Sequence, residues 1–214
     1  MDITIEENLS KIQGGVMDHA TLKSVLNNLG YININDKIRK LLDKGILIPL
    51  KRGMYIHKPV GRPANIPKEI ISNNLLGPSY ISLDYALGYH GLIPEAVHTV
   101  TAVTTKRSKA FNTAIGVFSY RQIKTAIFGL GVSIEKTHSG NFLMARMEKA
   151  LCDKIYFTSD YTFTSKRMIQ VFLEDDLRID IDEIKNSDPE IILDYYKITK
   201  SKKIKLLYNY MTEL

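Results

Sequence analysis

Hydrophobic positions follow a helical period through the first third of the chain and then shift toward alternation. Ile5, Leu9, Ile12 and Val16 share one face of a helix predicted within residues 1–16, which Gly14-Gly15 ends early. Asp18 is placed to cap a second helix in which Leu22, Val25, Leu26 and Leu29 repeat at i, i+3, i+4 and i+7, and Gly30 stops it. In residues 31–57, Ile34, Ile38, Leu41 and Leu42 recur at i, i+4, i+7 and i+8, with Lys37, Arg39, Lys40 and Lys44 around the other side. Asn35 is expected as the N-cap of this third helix and Gly45 as the residue just past its end. Residues 46–51 and 54–57 then read as two short strands joined across Arg52-Gly53.

Pro59, Gly61, Arg62, Pro63 and Pro67 crowd the next stretch, a density that continues neither a helix nor a central strand and so predicts a linker. A short helix is expected over residues 68–76, and a further one after a Ser82 cap, running to about Tyr89 with Gly91 as its stop. Residues 97–105 (VHTVTAVTT) are β-branched and alternating, a strand pattern. Residues 115–120 and 131–136 are the other strand candidates, with residues 122–128 between them. Residues 141–157 read as one long helix with Phe142, Ala145, Leu151 and Ile155 near one stripe and Arg146, Lys149 and Asp153 outside it. From Thr164, taken as a cap, the chain turns helical again, with Asp188-Pro189 and Ser201 as later helix starts.

The expected fold class is therefore α+β. An N-terminal winged helix-turn-helix (1–58) is followed by a linker and short helix (59–79). A second domain (80–214) carries a small, mostly antiparallel sheet and a helical C-terminal tail from about residue 161. With 214 residues, 44% hydrophobic and 24% charged, the composition is that of a globular protein. No apolar run approaches the ~20 residues of a membrane span, and the acidic start MDITIEENLS has no signal-peptide core, so a cytoplasmic location is expected.

Charge sharpens this picture locally more than globally. The formal net charge is +6, which favours a polyanionic partner without naming one. Residues 31–60 carry seven Lys/Arg against two Asp, whereas residues 174–190 carry eight acids against two bases. A short basic helix followed by a basic hairpin fits a recognition helix entering the major groove beside a wing. The DNA-facing candidates are Asn33, Asn35, Lys37, Arg39 and Lys40, with Arg39 suited to a bidentate guanine contact and Asn35 to adenine if it is not consumed as the cap. Lys44, Lys51, Arg52 and Tyr55 are placed for phosphates, and Lys106, Arg107 and Lys109 form a secondary cluster suited to backbone contacts.

Catalytic chemistry finds little support. His19, His57, His90, His98 and His138 are scattered, with no i, i+4 pair, and no metal or other cofactor is expected. Cys152, the single cysteine, sits mid-helix between Leu151 and Asp153 and reads as a core residue. A metal-dependent nuclease needs two acids and a lysine gathered at strand ends. Glu135-Lys136 could sit at a strand end but has no acidic companion upstream, and Glu148-Lys149 lies on a predicted helix, so no enzyme activity is expected.

Five strings in order complete the reading: LLDKGILIPLKRGMYI (41–56), GPSYISLDYALGYHGLIPE (77–95), TVTAVTTKR (99–107), FNTAIGVFSY (111–120) and ARMEKALCDKIYF (145–157). In this order and spacing the chain resembles the AbiEi antitoxins of the AbiE abortive-infection, type IV toxin–antitoxin systems. The resemblance implies an N-terminal winged helix that binds the operon's own promoter, where an autorepressor is expected to pair as two copies on inverted repeats. It also implies a C-terminal domain that antagonises a nucleotidyltransferase-like toxin without a stable complex. The operator-binding elements map onto residues 35–44 and the wing at 51–55, where only Lys51 and Arg52 supply charge. The alternatives left open are a winged-helix regulator whose second domain senses a ligand or mediates assembly, with no toxin partner, and a nucleic-acid enzyme.

Overall fold

The computed structural model describes residues 2–12, 14–58, 66–185 and 187–214. The proline-rich stretch that predicted a linker, Arg62 included, lies largely outside the described residues. The class is α+β. A three-stranded antiparallel sheet carries three helices at the N-terminal end, and a six-stranded mixed sheet carries the remaining helices.

The first unit runs α1 (Asp2–Ser10), β1 (Val16–Asp18), α2 (His19–Asn28), α3 (Ile34–Asp43), β2 (Leu47–Lys51) and β3 (Met54–His57). Asp18 caps α2 as its position suggested, its Oδ1 accepting the Thr21 N–H at 2.8 Å. Both α2 and α3 end in the same way. Gly30 donates to Asn27 O and Tyr31 to Leu26 O; Gly45 donates to Leu42 O and Ile46 to Leu41 O. These are paired Schellman closures, and the two glycines adopt φ +79° and +67°, where a side chain would be strained. Asn35 is not the cap of α3: Asn33 holds that position and Asn35 lies in the first turn.

Residues on β1 to β3 alternate between two cores, as a pleated strand requires. Met17, Leu47 and Tyr55 pack with Ile5, Leu9, Leu22, Leu26, Ile34, Ile38 and Leu41 of the helices. Val16, Ile48, Leu50, Met54 and Ile56 belong to the larger core behind. The hairpin is thus packed on both faces and leaves Arg52 exposed at its tip, while Gly53 O accepts the His19 N–H at 2.8 Å.

The second sheet has the strand order β6-β7-β5-β4-β9-β8, built from β4 (Ser79–Ile81), β5 (Val100–Thr104), β6 (Lys109–Thr113), β7 (Gly116–Gln122), β8 (Val132–Thr137) and β9 (Gly140–Ala145). β4 runs parallel to β9 and β5 to β7, while the other pairs are antiparallel. The expectation of a small, mostly antiparallel sheet is corrected to a larger mixed one. The long helix expected over 141–157 is also corrected: its first part is β9, paired along β8, and only Met147–Phe157 (α6) is helical.

Helix α4 (Lys68–Leu75) covers one sheet face, where Tyr120 Oη donates to Ser72 O at 2.7 Å. α6 covers the other, where Tyr80 reaches Asp153. α5 (Leu83–Tyr89) follows Ser82, whose hydroxyl goes to Asp153 rather than to the helix end. The tail comprises α7 (Lys166–Val171), a π turn at Phe172–Asp176, α8 (Ile181–Ile184), α9 (Pro189–Thr199) and α10 (Lys202–Met211). Ser165, not Thr164, caps α7, and Asp188-Pro189 opens α9 as expected. Among the described residues, no helix is long and apolar enough to cross a membrane.

Candidate nucleic-acid interface

The apolar stripe of α3 fixes which side chains it presents. Ile34, Ile38 and Leu41 are buried, so Arg39 and Lys40, near the opposite side of the helix, point outward. Asp36 holds both, accepting from Arg39 Nη2 at 2.8 Å and lying 2.9 Å from Lys40 Nζ. These bonds keep the Asp36 carboxyl below its ordinary range and raise the Arg39 guanidinium. Exposed ion pairs of this kind are weak, so the two cations exchange readily onto a phosphate or a base edge. Lys37 stands 4.8 Å from the Tyr31 ring centroid, and Lys44 occupies the C-cap.

At the other end of the helix the side chains of Asn33 and Asn35 are exposed, and Asn33 makes no side-chain capping bond. They line a recess of about 510 Å³ together with His19 and Lys23 of α2 and with Ile32, Ile34 and Asp36. Residue patterning singles out neither His19, Lys23 nor Ile32 as a DNA-facing candidate, because the apolar face of α2 dominates its pattern. A signal is nonetheless present in the 3.6-residue period, which brings His19 and Lys23 onto one side of α2.

The hairpin divides its candidates. Arg52 is exposed at the tip, and Tyr55 is half-buried on the central strand against the helices. Lys51 turns toward the second unit, donating to Leu75 O at the end of α4 at 2.6 Å. Burial lowers its pKa, and the charges of Lys109 and Lys106 lower it further. Lys51 and Lys109 lie 5.7 and 4.8 Å from the ring centroid of Phe111. Two clusters more than fifty residues apart in sequence therefore meet: Lys51 and Lys109 flank Phe111, the charge of Lys106 acts on Lys51, and Arg107 is exposed.

The other polar constellation is sealed. Lys149 and Asp153, expected outside the stripe of α6, are completely buried and lie 3.1 Å apart. Asp153 accepts hydrogen bonds from Tyr80 (2.9 Å), Ser82 (2.8 Å) and Tyr195 (2.9 Å). Lys149 Nζ donates to Ile127 O at 2.9 Å and sits 4.4 Å from the Tyr195 ring centroid. Burial first, and then the Asp153 charge, push both tyrosines and the Cys152 thiol upward, so all three stay protonated. Cys152 is a core residue, as its position suggested. Glu148 is likewise occupied, accepting the Asp188 N–H at 3.0 Å. Glu135 lies on β8 and accepts from Ser133 Oγ at 2.9 Å. Among the described residues, no three of His, Cys, Asp and Glu are grouped to hold a metal ion.

A second recess of about 480 Å³ opens between the sheet and α6, lined by Thr101, Ser119, Arg121, Phe157 and the Asp84–Lys154 ion pair (2.5 Å) among others. Its principal charges balance.

No family model and no curated protein sequence matches the chain. In three dimensions it is similar to the crystal structure of the RV2827C protein from Mycobacterium tuberculosis, with a TM-score of 0.65 and 11% sequence identity, over 99% of this chain and 76% of that one. At that identity the likeness is one of fold.

Proposed function

We propose that the first unit is a winged helix-turn-helix that binds duplex DNA, with α3 as the recognition helix, and that the protein represses its own promoter. The observation that carries this reading is the outward pair Arg39 and Lys40 on a helix whose start and end are each preceded or followed by a Schellman closure. A rigid basic helix is what base-edge readout in a major groove needs. Arg52 at the hairpin tip and the patch at Lys106, Arg107 and Lys109 extend the cationic surface for phosphates. By the resemblance in its sequence, the protein is an AbiEi-type antitoxin and not an enzyme. Its second domain antagonises a nucleotidyltransferase-like toxin in the cytoplasm.

Two experiments test the two halves. Binding to the duplex upstream of its own reading frame, compared with a scrambled duplex, tests repression; equal affinity for both refutes it. Co-expression with the adjacent downstream gene tests antitoxicity, and growth unaffected by that gene in the absence of this protein refutes it. The recess at Thr101, Ser119 and Arg121 favours a second reading, a regulator whose larger domain senses a small polar ligand. Under that reading the neighbouring gene is harmless and DNA affinity changes with the ligand.

A further inference from the structure

Ile32 is 92% exposed, the most exposed of the large hydrophobic side chains among the described residues. It stands in the turn between α2 and α3, two residues before the first residue of the helix, and its neighbour Ile34 is buried. The turn is rigid: the Schellman closure fixes Gly30 and Tyr31, and Ile34 N donates to Ile32 O at 3.1 Å. A branched aliphatic side chain held in water on a rigid turn contributes nothing to either core. Apart from the buried Ile34, every neighbour on the recess it borders is polar: His19, Lys23, Asn33, Asn35 and Asp36. Asp36 is already engaged by Arg39 and Lys40.

We propose that Ile32 is a specificity residue that packs on the 5-methyl group of a thymine while Asn33 and Asn35 face the adjoining base edges. The inference rests on the DNA-binding reading and adds to it a named base and a named atom. The major-groove edge of a duplex is polar except for the thymine methyl, so it alone offers an apolar partner to an aliphatic side chain among amides. The matching pattern on the protein is one apolar tip surrounded by hydrogen-bonding groups at the start of the helix, where recognition helices meet base edges. Lys23 and His19, on the same recess, are placed for the flanking phosphates.

The probe is the duplex that wild-type protein enriches from a random-sequence pool, with each thymine replaced singly by deoxyuridine. Wild-type protein is expected to lose about fourfold in affinity at one thymine per half-site. That corresponds to about 0.8 kcal/mol for one buried methyl, at about 1.4 kcal/mol per tenfold. Ile32→Ala is expected to bind the thymine duplex more weakly and to be indifferent to uracil at that position alone, and Ile32→Val is expected to keep the discrimination. Because the side chain touches neither core, the melting temperature of the variants should not move. If Ile32→Ala still discriminates thymine from uracil at every position as wild type does, or wild type discriminates at none, this inference fails and DNA binding stands. If no duplex is enriched, both fail.

Discussion

Replacing Asp153 by alanine tests whether the buried polar cluster holds the larger core together. The carboxylate is the acceptor for Tyr80, Ser82 and Tyr195 and the counter-ion of Lys149, all in the interior. Removing one partner of a buried ion pair costs about 3–5 kcal/mol, because the other charge stays behind uncompensated. Hydroxyls left unpaired add about 1–3 kcal/mol each, reduced by relaxation. A loss of about 5 kcal/mol is expected, a large share of the ~5–15 kcal/mol that a folded protein has in total. For a chain of this length the melting temperature should fall by about 10–20 °C. Lys149→Met should cost less, since Asp153 keeps its three hydroxyl donors. Lys149→Met with Asp153→Ala should cost less than the sum of the single changes by about 2 kcal/mol, because neither charge is stranded. Thermal and urea unfolding of the three variants measures this. If the single losses add to the double within about 0.5 kcal/mol, or if Asp153→Ala costs under about 1 kcal/mol, the assigned coupling is wrong.

Three further outcomes are expected. His57 is buried with no protein partner for Nε2 among the described residues, and desolvation lowers its pKa from 6.5 while Glu6 pushes it back up. The unfolded chain then binds more protons below pH 6.5, so stability should fall on acidification through that value and be flat above it. His57→Leu should flatten the profile between about pH 7.5 and 5.5, and an unchanged slope refutes the assignment. Gly131 adopts φ +63°, and a Cβ there would meet Lys149 Cβ and Ile191 Cγ2 at 2.9 Å. Gly131→Ala should destabilise by about 2 kcal/mol in the same unfolding assays, and a neutral result removes the packing argument. Neutralising Lys106, Arg107 and Lys109 should reduce the salt slope of DNA binding by about 0.9 for each phosphate these side chains neutralise, leaving sequence preference intact. An unchanged slope places the patch off the DNA.

Most of the first unit was legible because its signals are local; β1 was not, and Val16, read on the face of the first helix, is the first residue of that strand. Apolar spacing located α2 and α3, Gly30 and Gly45 marked their ends, and Arg52-Gly53 marked the hairpin, all within one or two turns of the chain. The six-stranded sheet and its helices were less legible because their determinants are not local. Leu143, Met144 and Ala145 are good helix formers, and it is pairing with β8 on one side and β4 on the other that makes them a strand. Lys149 and Asp153 fell outside the apolar stripe of the predicted helix, since nothing near them announces Tyr80 or Tyr195, which lie 73 and 42 residues from Asp153. The same holds at the candidate interface. Arg39 and Lys40 face outward as their helical positions required, whereas Lys51 turns to a carbonyl 24 residues away. Ile32 escaped notice because exposure of a hydrophobic residue is a property of the folded surface.

The central claim is that α3 reads DNA sequence. Its most direct test is fluorescence anisotropy of the upstream duplex and a scrambled duplex with wild-type and Arg39→Ala protein at matched salt. Wild type should prefer the upstream duplex, and Arg39→Ala should lose about 1–3 kcal/mol of that preference while keeping its scrambled-duplex affinity within a few-fold. An Arg39→Ala protein with unchanged affinity and unchanged preference would contradict the account.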